Sequence, residues 1–197
     1  AAIEERGEET GSAKPIEYPK AVFTEAMKRD KDYTILAPEM SPIHFPIIEA
    51  AVQREGYHIE IIPPIHEDID KGLSCVNNDA CYPAIITIGS LMRALTSGKY
   101  DLSKTAVMLS QTGGMCRASN YVGFLHKALD EAGLSDIPVI SLNTHGFEPQ
   151  PGFHFSLSMG RRMIQAVIYG DALQQCLYRT RPYEKEPGSA ETLCRRW

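Results

Sequence analysis

Short apolar runs alternate along the chain with longer segments whose apolar residues recur at helical spacing. The short runs predict buried strands, because each is brief and is bounded by turn-forming residues. They are Tyr33–Ala37, Tyr57–Ile62, Thr105–Ser110 and Pro138–Leu142.

The periodic segments predict helices at residues 19–29, 41–55, 83–97 and 119–132, with a last long helix inside residues 153–175. Ser41 is expected to be an N-cap and Pro42 the first helical residue. The core face of the last helix is expected to carry Met159, Met163, Val167 and Ile168. Residues 63–82 show no such period and predict a long irregular loop, which in a compact domain is typical of a functional segment.

Strands that alternate with helices are typical of parallel sheets with right-handed crossovers. We therefore expect an open, mostly parallel α/β sheet with helices on both faces, a Rossmann/flavodoxin-like three-layer fold. This domain is expected to cover residues 15–180, between a polar linker or cut end at 1–14 and a charged C-terminal tail at 181–197. The polar start suggests that the chain is part of a longer protein.

Composition narrows the classes of function. The net charge of -5 and the pI near 5.7 leave no basic excess with which to neutralise phosphates, so we expect no nucleic-acid partner. No run is long and apolar enough to span a membrane. The odd count of five cysteines, with no export signal visible, favours free thiols in a reducing, cytoplasmic compartment.

Two of the cysteines occupy turns of the same kind. Cys81 precedes Tyr82-Pro83 at a predicted helix start, and Cys116 follows Gly113-Gly114 just before another. Unpaired N–H groups and the helix dipole favour thiolate at such places, and ligands bind outside the carboxyl ends of parallel strands. We expect the two turns to face one another across one site, although each cysteine alone is equally typical of a small buried residue.

The remaining cysteines carry weaker signals. Cys75 lies six residues before Cys81 and can reach the same point through the predicted loop, yet Leu73 and Val76 beside it also suit a core position. Cys176 has the surroundings of a core residue, and Cys194 lies in the charged tail.

Thiolates without a nearby histidine pair suit an iron–sulfur cluster or, less well, zinc. The cysteine spacing matches neither a zinc ribbon nor a ferredoxin run. Gly113 and Gly114 resemble an anion cradle but fit neither the dinucleotide fingerprint nor the P-loop, so no ATP site is expected. His44 and His145 lie in loops at the same edge, as acid–base groups or as capping residues.

Four segments together carry a resemblance to a known family. The chain resembles the 2-hydroxyacyl-CoA dehydratase-related proteins, and specifically the dehydratase-like region of the large acyl-CoA dehydratase activase-related proteins. The segments are Ala37–Phe45, Val76–Pro83, Gln111–Tyr121 and Tyr169–Asp171.

This resemblance implies a 4Fe–4S cluster held by Cys81 and Cys116, with Cys75 as a further candidate that the motifs do not match. Beyond the resemblance, we expect the Gly113 and Gly114 backbone to donate to the cluster sulfides and Arg117 to offset the cluster charge. Electrons would come from an ATP-dependent activase module, beside a companion dehydratase-like domain, with acyl-CoA and a second copy of the chain as further partners. The isolated chain lacks the activase signature and is not expected to be active alone.

Two other functions remain open at this point. The chain is alternatively a non-catalytic α/β domain that binds an acyl-CoA or a partner without a cluster, or a structural zinc domain.

Overall fold

The computed structural model describes residues 20–77, 79–111, 116–143 and 150–197. Its centre is a four-stranded, all-parallel sheet with the strand order β2-β1-β3-β4. The strands are β1 (Thr34–Pro38), β2 (Ile59–Ile62), β3 (Thr105–Gln111) and β4 (Val139–Asn143). The open α/β three-layer fold expected from the alternating pattern is confirmed.

Helices cover both faces of this sheet. In chain order they are α1 (Glu25–Arg29), α2 (His44–Gln53), α3 (Glu67–Cys75), α4 (Tyr82–Thr96), α5 (Tyr121–Glu131), α6 (Leu157–Thr180) and α7 (Ser189–Cys194). No helix in these described ranges is long and apolar enough to cross a membrane.

The alternation of side chains along β1 and β3 divides the core in two. Leu36 and Val107 point into one cluster with α4 and α5. Ile35 and Met108 point into the other, with α2 and the start of α6. Because successive strand residues face opposite sides, one short apolar run supplies both cores.

The connections reverse between β1 and β3, and this reversal creates a crevice. The crossover after β1 leads outward to β2 through α2, whereas the chain after β3 leads to β4 through α5 on the opposite face. Ligands of open α/β sheets bind at such a switch point, outside the carboxyl ends of the strands. We call this edge of the sheet the rim.

The predicted loop at residues 63–82 was wrong in part, because it contains α3. The sequence pattern did not indicate this helix, because its buried residues are Asp68 and Gly72 and not an apolar stripe. Gly72 and Gly89 let α3 and α4 approach until their backbones touch. A Cβ on Gly89 would meet the Asp68 carbonyl, so the two helices form a tight antiparallel pair.

The predicted core face of the last helix was half wrong. Met159 is buried and Met163 packs against the core, but Val167 and Ile168 are exposed. The buried stripe instead continues through Ala166, Gly170 and Leu177. A helix of 24 residues is much longer than the strands of the sheet, so some of its apolar residues lie beyond the core.

Two helix starts also differ from expectation. The N-cap of α2 is Ile43 rather than Ser41, whose hydroxyl bonds the ring of His44 instead. The first helix begins only after Thr24, whose side chain caps it. Residues 181–197, expected as a charged tail, carry a 3-10 turn and α7, in which Ala190 is buried.

Candidate functional site

Cys81 is the N-cap residue of α4, as its position before a proline predicted. It is half-buried, and its Sγ lies 3.1 Å from the hydroxyl of Tyr121. Tyr121 is the first residue of α5, so this contact joins the starts of two helices that pack side by side on one face of the sheet.

Cys116 occupies the equivalent position at the other turn. It is the N-cap of the 3-10 turn Arg117–Asn120, which leads directly into α5. Its Sγ is 3.5 Å from the backbone N–H of Ala118, and its carbonyl accepts from the hydroxyl of Ser119. The thiol is exposed, unlike that of Cys81.

Both cysteines affect the pKa of the Tyr121 phenol. Burial raises the pKa of Tyr121 above its ordinary value, and the hydrogen bond to Cys81 and electrostatic interaction with the Cys81 and Cys116 side chains raise it further. Each of these effects favours the neutral phenol over the phenolate. Cys81 contacts the first residue of α5, and Cys116 caps the turn that leads into that helix, so both cysteines lie near the start of α5.

Cys75 is placed differently. It is the last residue of α3, half-buried, and it packs against the core cluster around α4. Its Sγ lies 3.6 Å from the hydroxyl of Ser74. Within the described ranges, no group of three or more His, Cys, Asp or Glu side chains is arranged to hold a metal ion.

Several expected site residues lie outside the described part of the chain. These are Gly113, Gly114 and His145, together with the side chain of Arg117. Asn77 is described, and its side chain accepts from the N–H of Asp79 in the turn before Cys81. Cys176, expected in the core, is exposed on α6.

A cleft of about 440 Å³ opens at the rim near the starts of α4 and α5. Tyr82 and Ala118 line it, one next to Cys81 and the other two residues after Cys116. Met40 and Ser110 line it from the ends of β1 and β3, which places the cleft at the switch point of the sheet.

Glu39 contributes the carboxyl group of this cleft. Burial raises the pKa of Glu39 above its usual value, and the positive charge of Arg195 offsets part of that shift. A carboxyl group whose pKa is raised in a cleft is a typical proton donor or acceptor. Glu39 lies within the segment Ala37–Phe45 that carries part of the family resemblance, but no local pattern assigned it a role.

Sequence reasoning also missed Tyr121 as a functional residue. A signal was present: Tyr121 shares the apolar stripe of α5 with Val122, Leu125 and Leu129. A buried tyrosine hydroxyl usually finds a hydrogen-bond partner, so its place on a core face pointed to a polar contact. Which atom would supply that contact was decided by packing.

Comparison with protein-family models, with curated proteins and with solved structures finds no match to this chain. The family resemblance therefore rests on the sequence segments alone.

Proposed function

We propose that this chain is the iron–sulfur redox component of a 2-hydroxyacyl-CoA dehydratase-like system in a reducing cytoplasm, with Cys81 and Cys116 as thiolate ligands of a 4Fe–4S cluster. One observation carries the proposal. The Cys81 sulfur lies 3.1 Å from the hydroxyl of Tyr121, the first residue of α5, and Cys116 caps the 3-10 turn that leads directly into the same helix.

The chemistry of these donors fits a thiolate-bound group. Iron–sulfur clusters are held by cysteine thiolates, and the exposed Cys116 leaves the position accessible. Two cysteines supply half of the four thiolates that such a cluster usually takes. The others would come from Cys75, from the companion domain or from a second copy of the chain.

When bound, the cluster supplies single-electron transfer at low potential. The chain has no P-loop pattern, so we assign ATP hydrolysis to a separate activase module that delivers the electrons. Backbone N–H groups at Gly113 and Gly114 are proposed to donate to the cluster sulfides, and Arg117 to offset the negative charge.

The rim cleft is the proposed approach for the substrate, an acyl-CoA thioester. It is lined by Tyr82, the residue after Cys81, and it offers the carboxyl group of Glu39, whose raised pKa suits it to hold or accept a proton. Ser110, at the end of β3, adds a hydroxyl to the same cleft.

The test is anaerobic preparation followed by iron and acid-labile sulfide analysis, after reconstitution with iron and sulfide. The wild-type chain should bind both in equal amounts and turn brown. Cys81→Ser and Cys116→Ser should each lose most of the bound iron. Cys176→Ser is the matched control, because Cys176 is exposed on α6 and should leave the iron content unchanged.

A colourless protein with intact thiols after anaerobic reconstitution would refute the proposal for this chain. So would equal iron loss in Cys176→Ser, because that pattern would indicate adventitious binding to any exposed thiol.

A second candidate function, an acyl-binding domain without a cluster, is favoured by one observation. An apolar cavity of about 190 Å³ lies between α2, α6 and the sheet, lined by side chains such as Phe45, Met108, Leu142 and Met163. It opens beside Met40, which also lines the rim cleft.

Acyl-CoA binding by the Cys81→Ser/Cys116→Ser double variant would separate the two functions. Binding that survives the double substitution but is lost in Met163→Trp, which fills the cavity, supports the acyl-binding domain. Binding that needs both cysteines supports the redox component.

A further inference from the structure

The hydroxyl of Tyr121 and the sulfur of Cys81 make a contact between residues 40 positions apart in the chain. Tyr121 is only 6% exposed and Cys81 is half-buried, so the contact is partly shielded from water. Its ring is held in the core cluster between α4 and α5, which fixes where the hydroxyl points. This position is set by packing, independently of any bound group.

Either atom can donate this hydrogen bond in the metal-free chain, and the direction becomes fixed when Cys81 binds a metal as a thiolate. A thiolate has no proton to give, so next to a thiolate the phenol must be the donor. Hydrogen bonds to an ionised acceptor are stronger than neutral ones, and burial strengthens them again. The contact therefore favours one orientation of the Cys81 side chain.

We propose that Tyr121 is a positioning residue, which holds the Cys81 sulfur toward Cys116 and tunes the reduction potential of the group that the two cysteines bind. The geometric half of this inference concerns the chain alone. The redox half rests on the proposed cluster.

The expected effect on the potential has a definite sign. Reduction adds negative charge to a cluster and its thiolates, and a hydrogen bond to a thiolate stabilises the more negative state more strongly. Tyr121 therefore makes the potential less negative than it would otherwise be. Removing the hydroxyl should shift the potential in the negative direction.

Tyr121→Phe tests the inference because it removes the hydroxyl and keeps the buried ring. Tyr178→Phe is the control: it removes the hydroxyl of a tyrosine on α6 that is 59% exposed and bonded to Gln174. Circular dichroism and urea unfolding should show that both variants are folded.

The first measurement uses metal-free, reduced protein in a Cys176→Ser/Cys194→Ser background. Dibromobimane becomes fluorescent when it bridges two neighbouring thiols, and mass spectrometry identifies the peptides that it joins. We expect a Cys81–Cys116 bridge in the parent and the Tyr178→Phe variant, and loss of most of it in Tyr121→Phe. An unchanged yield in Tyr121→Phe, or no bridge in the parent, would overturn the positioning role.

The second measurement is a redox titration of the reconstituted cluster by electron paramagnetic resonance. Tyr121→Phe should shift the midpoint to more negative potential and shorten the cluster's lifetime in the presence of a chelator, whereas Tyr178→Phe should match wild type. Equal potentials in all three proteins would overturn the redox half.

The two measurements separate failure of this inference from failure of the proposed function. If the wild-type chain assembles no cluster, the proposed function fails, and the bridging yield still decides whether Tyr121 positions Cys81. If a cluster forms and Tyr121→Phe changes neither readout, the inference fails alone.

Discussion

The imidazole Nε2 of His44 lies 3.0 Å from a carboxylate oxygen of Asp171. The contact joins the start of α2 to α6 at the rim, across 127 positions in sequence. The other ring nitrogen of His44 lies 2.8 Å from the hydroxyl of Ser41, so both nitrogens have partners. Gly170 leaves the space that the ring occupies, because a Cβ there would collide with it.

This arrangement predicts that His44 clamps α2 to α6. His44→Ala should lower the free energy of unfolding by about 1–3 kcal/mol, since it removes two hydrogen bonds and some packing. The coupling to Asp171→Ala should be smaller, below about 1 kcal/mol, because the Asp171 side chain is 60% exposed. Urea unfolding of the two single variants and the double variant measures both quantities, and a coupling of zero would show that the pair contributes nothing.

The close approach of α3 and α4 predicts that Gly89 tolerates no side chain. In Gly89→Ala the new methyl would meet the backbone carbonyl of Asp68, which cannot move without separating the helices. We expect a loss of about 1–3 kcal/mol in the free energy of unfolding.

Gly160→Ala is the matched control for this prediction. Gly160 is also helical, but a Cβ there would meet only the ring of Phe155, at 3.1 Å. Because alanine is favoured over glycine in helices by about 1 kcal/mol, this variant should be neutral or more stable. Equal losses in the two variants would contradict the backbone contact.

The ion pair between Arg93 and the buried Asp68 predicts a second position in the α3–α4 pair at which substitution lowers stability. The Asp68 carboxylate is fully buried, and it also accepts from the N–H of Ile65 at 2.8 Å. Arg93→Met leaves that carboxylate without its cation and should cost about 3–5 kcal/mol. Glu131→Gln breaks an exposed pair with Lys127 on α5 and should cost less than about 0.5 kcal/mol. Chemical denaturation would show the contrast, and similar costs would contradict it.

The pKa of Glu39 predicts a dependence of stability on pH. Burial raises that pKa, so the folded chain binds the proton more tightly than the unfolded chain. The resulting stabilisation is present below the ordinary pKa and is lost as the pH rises through the folded value. Relative to wild type, Glu39→Gln should therefore gain in free energy of unfolding between about pH 4 and about pH 7.

The pKa of Glu60 is shifted in the opposite direction to that of Glu39. Burial acts to raise its pKa, but hydrogen bonds from Lys99 and Tyr100 outweigh burial and leave the pKa below the ordinary value. The stabilisation is present above the ordinary pKa and is lost as the pH falls through the folded value. Glu60→Gln should thus lose stability at about pH 7, and its deficit should shrink toward about pH 4. Urea midpoints measured across this pH range test both variants. If the stability difference from wild type changed in the same direction with pH in both, the opposite pKa shifts of Glu39 and Glu60 would be contradicted.

The strands and most of the helices could be predicted from local patterns. Four apolar runs became the four strands, and the stripe of Ile85, Ile88 and Leu91 gave α4 its buried face. These signals are readable because burial on one face imposes its own period on the sequence. Helix α3 gave no such signal, because it packs through a glycine and a charged pair.

The candidate site also has some features that local patterns predict and others that they do not. Local patterns were enough to place Cys81 and Cys116 at helix starts on one edge of a parallel sheet, since turn residues, proline and the alternation of strands with helices can be read directly from the sequence. The contacts of Tyr121 with Cys81 and of His44 with Asp171, and the position of Glu39 in the cleft, became known only from the three-dimensional packing. Each of these contacts joins elements far apart in the chain, and their geometry depends on how whole helices pack against the sheet, which no local pattern encodes.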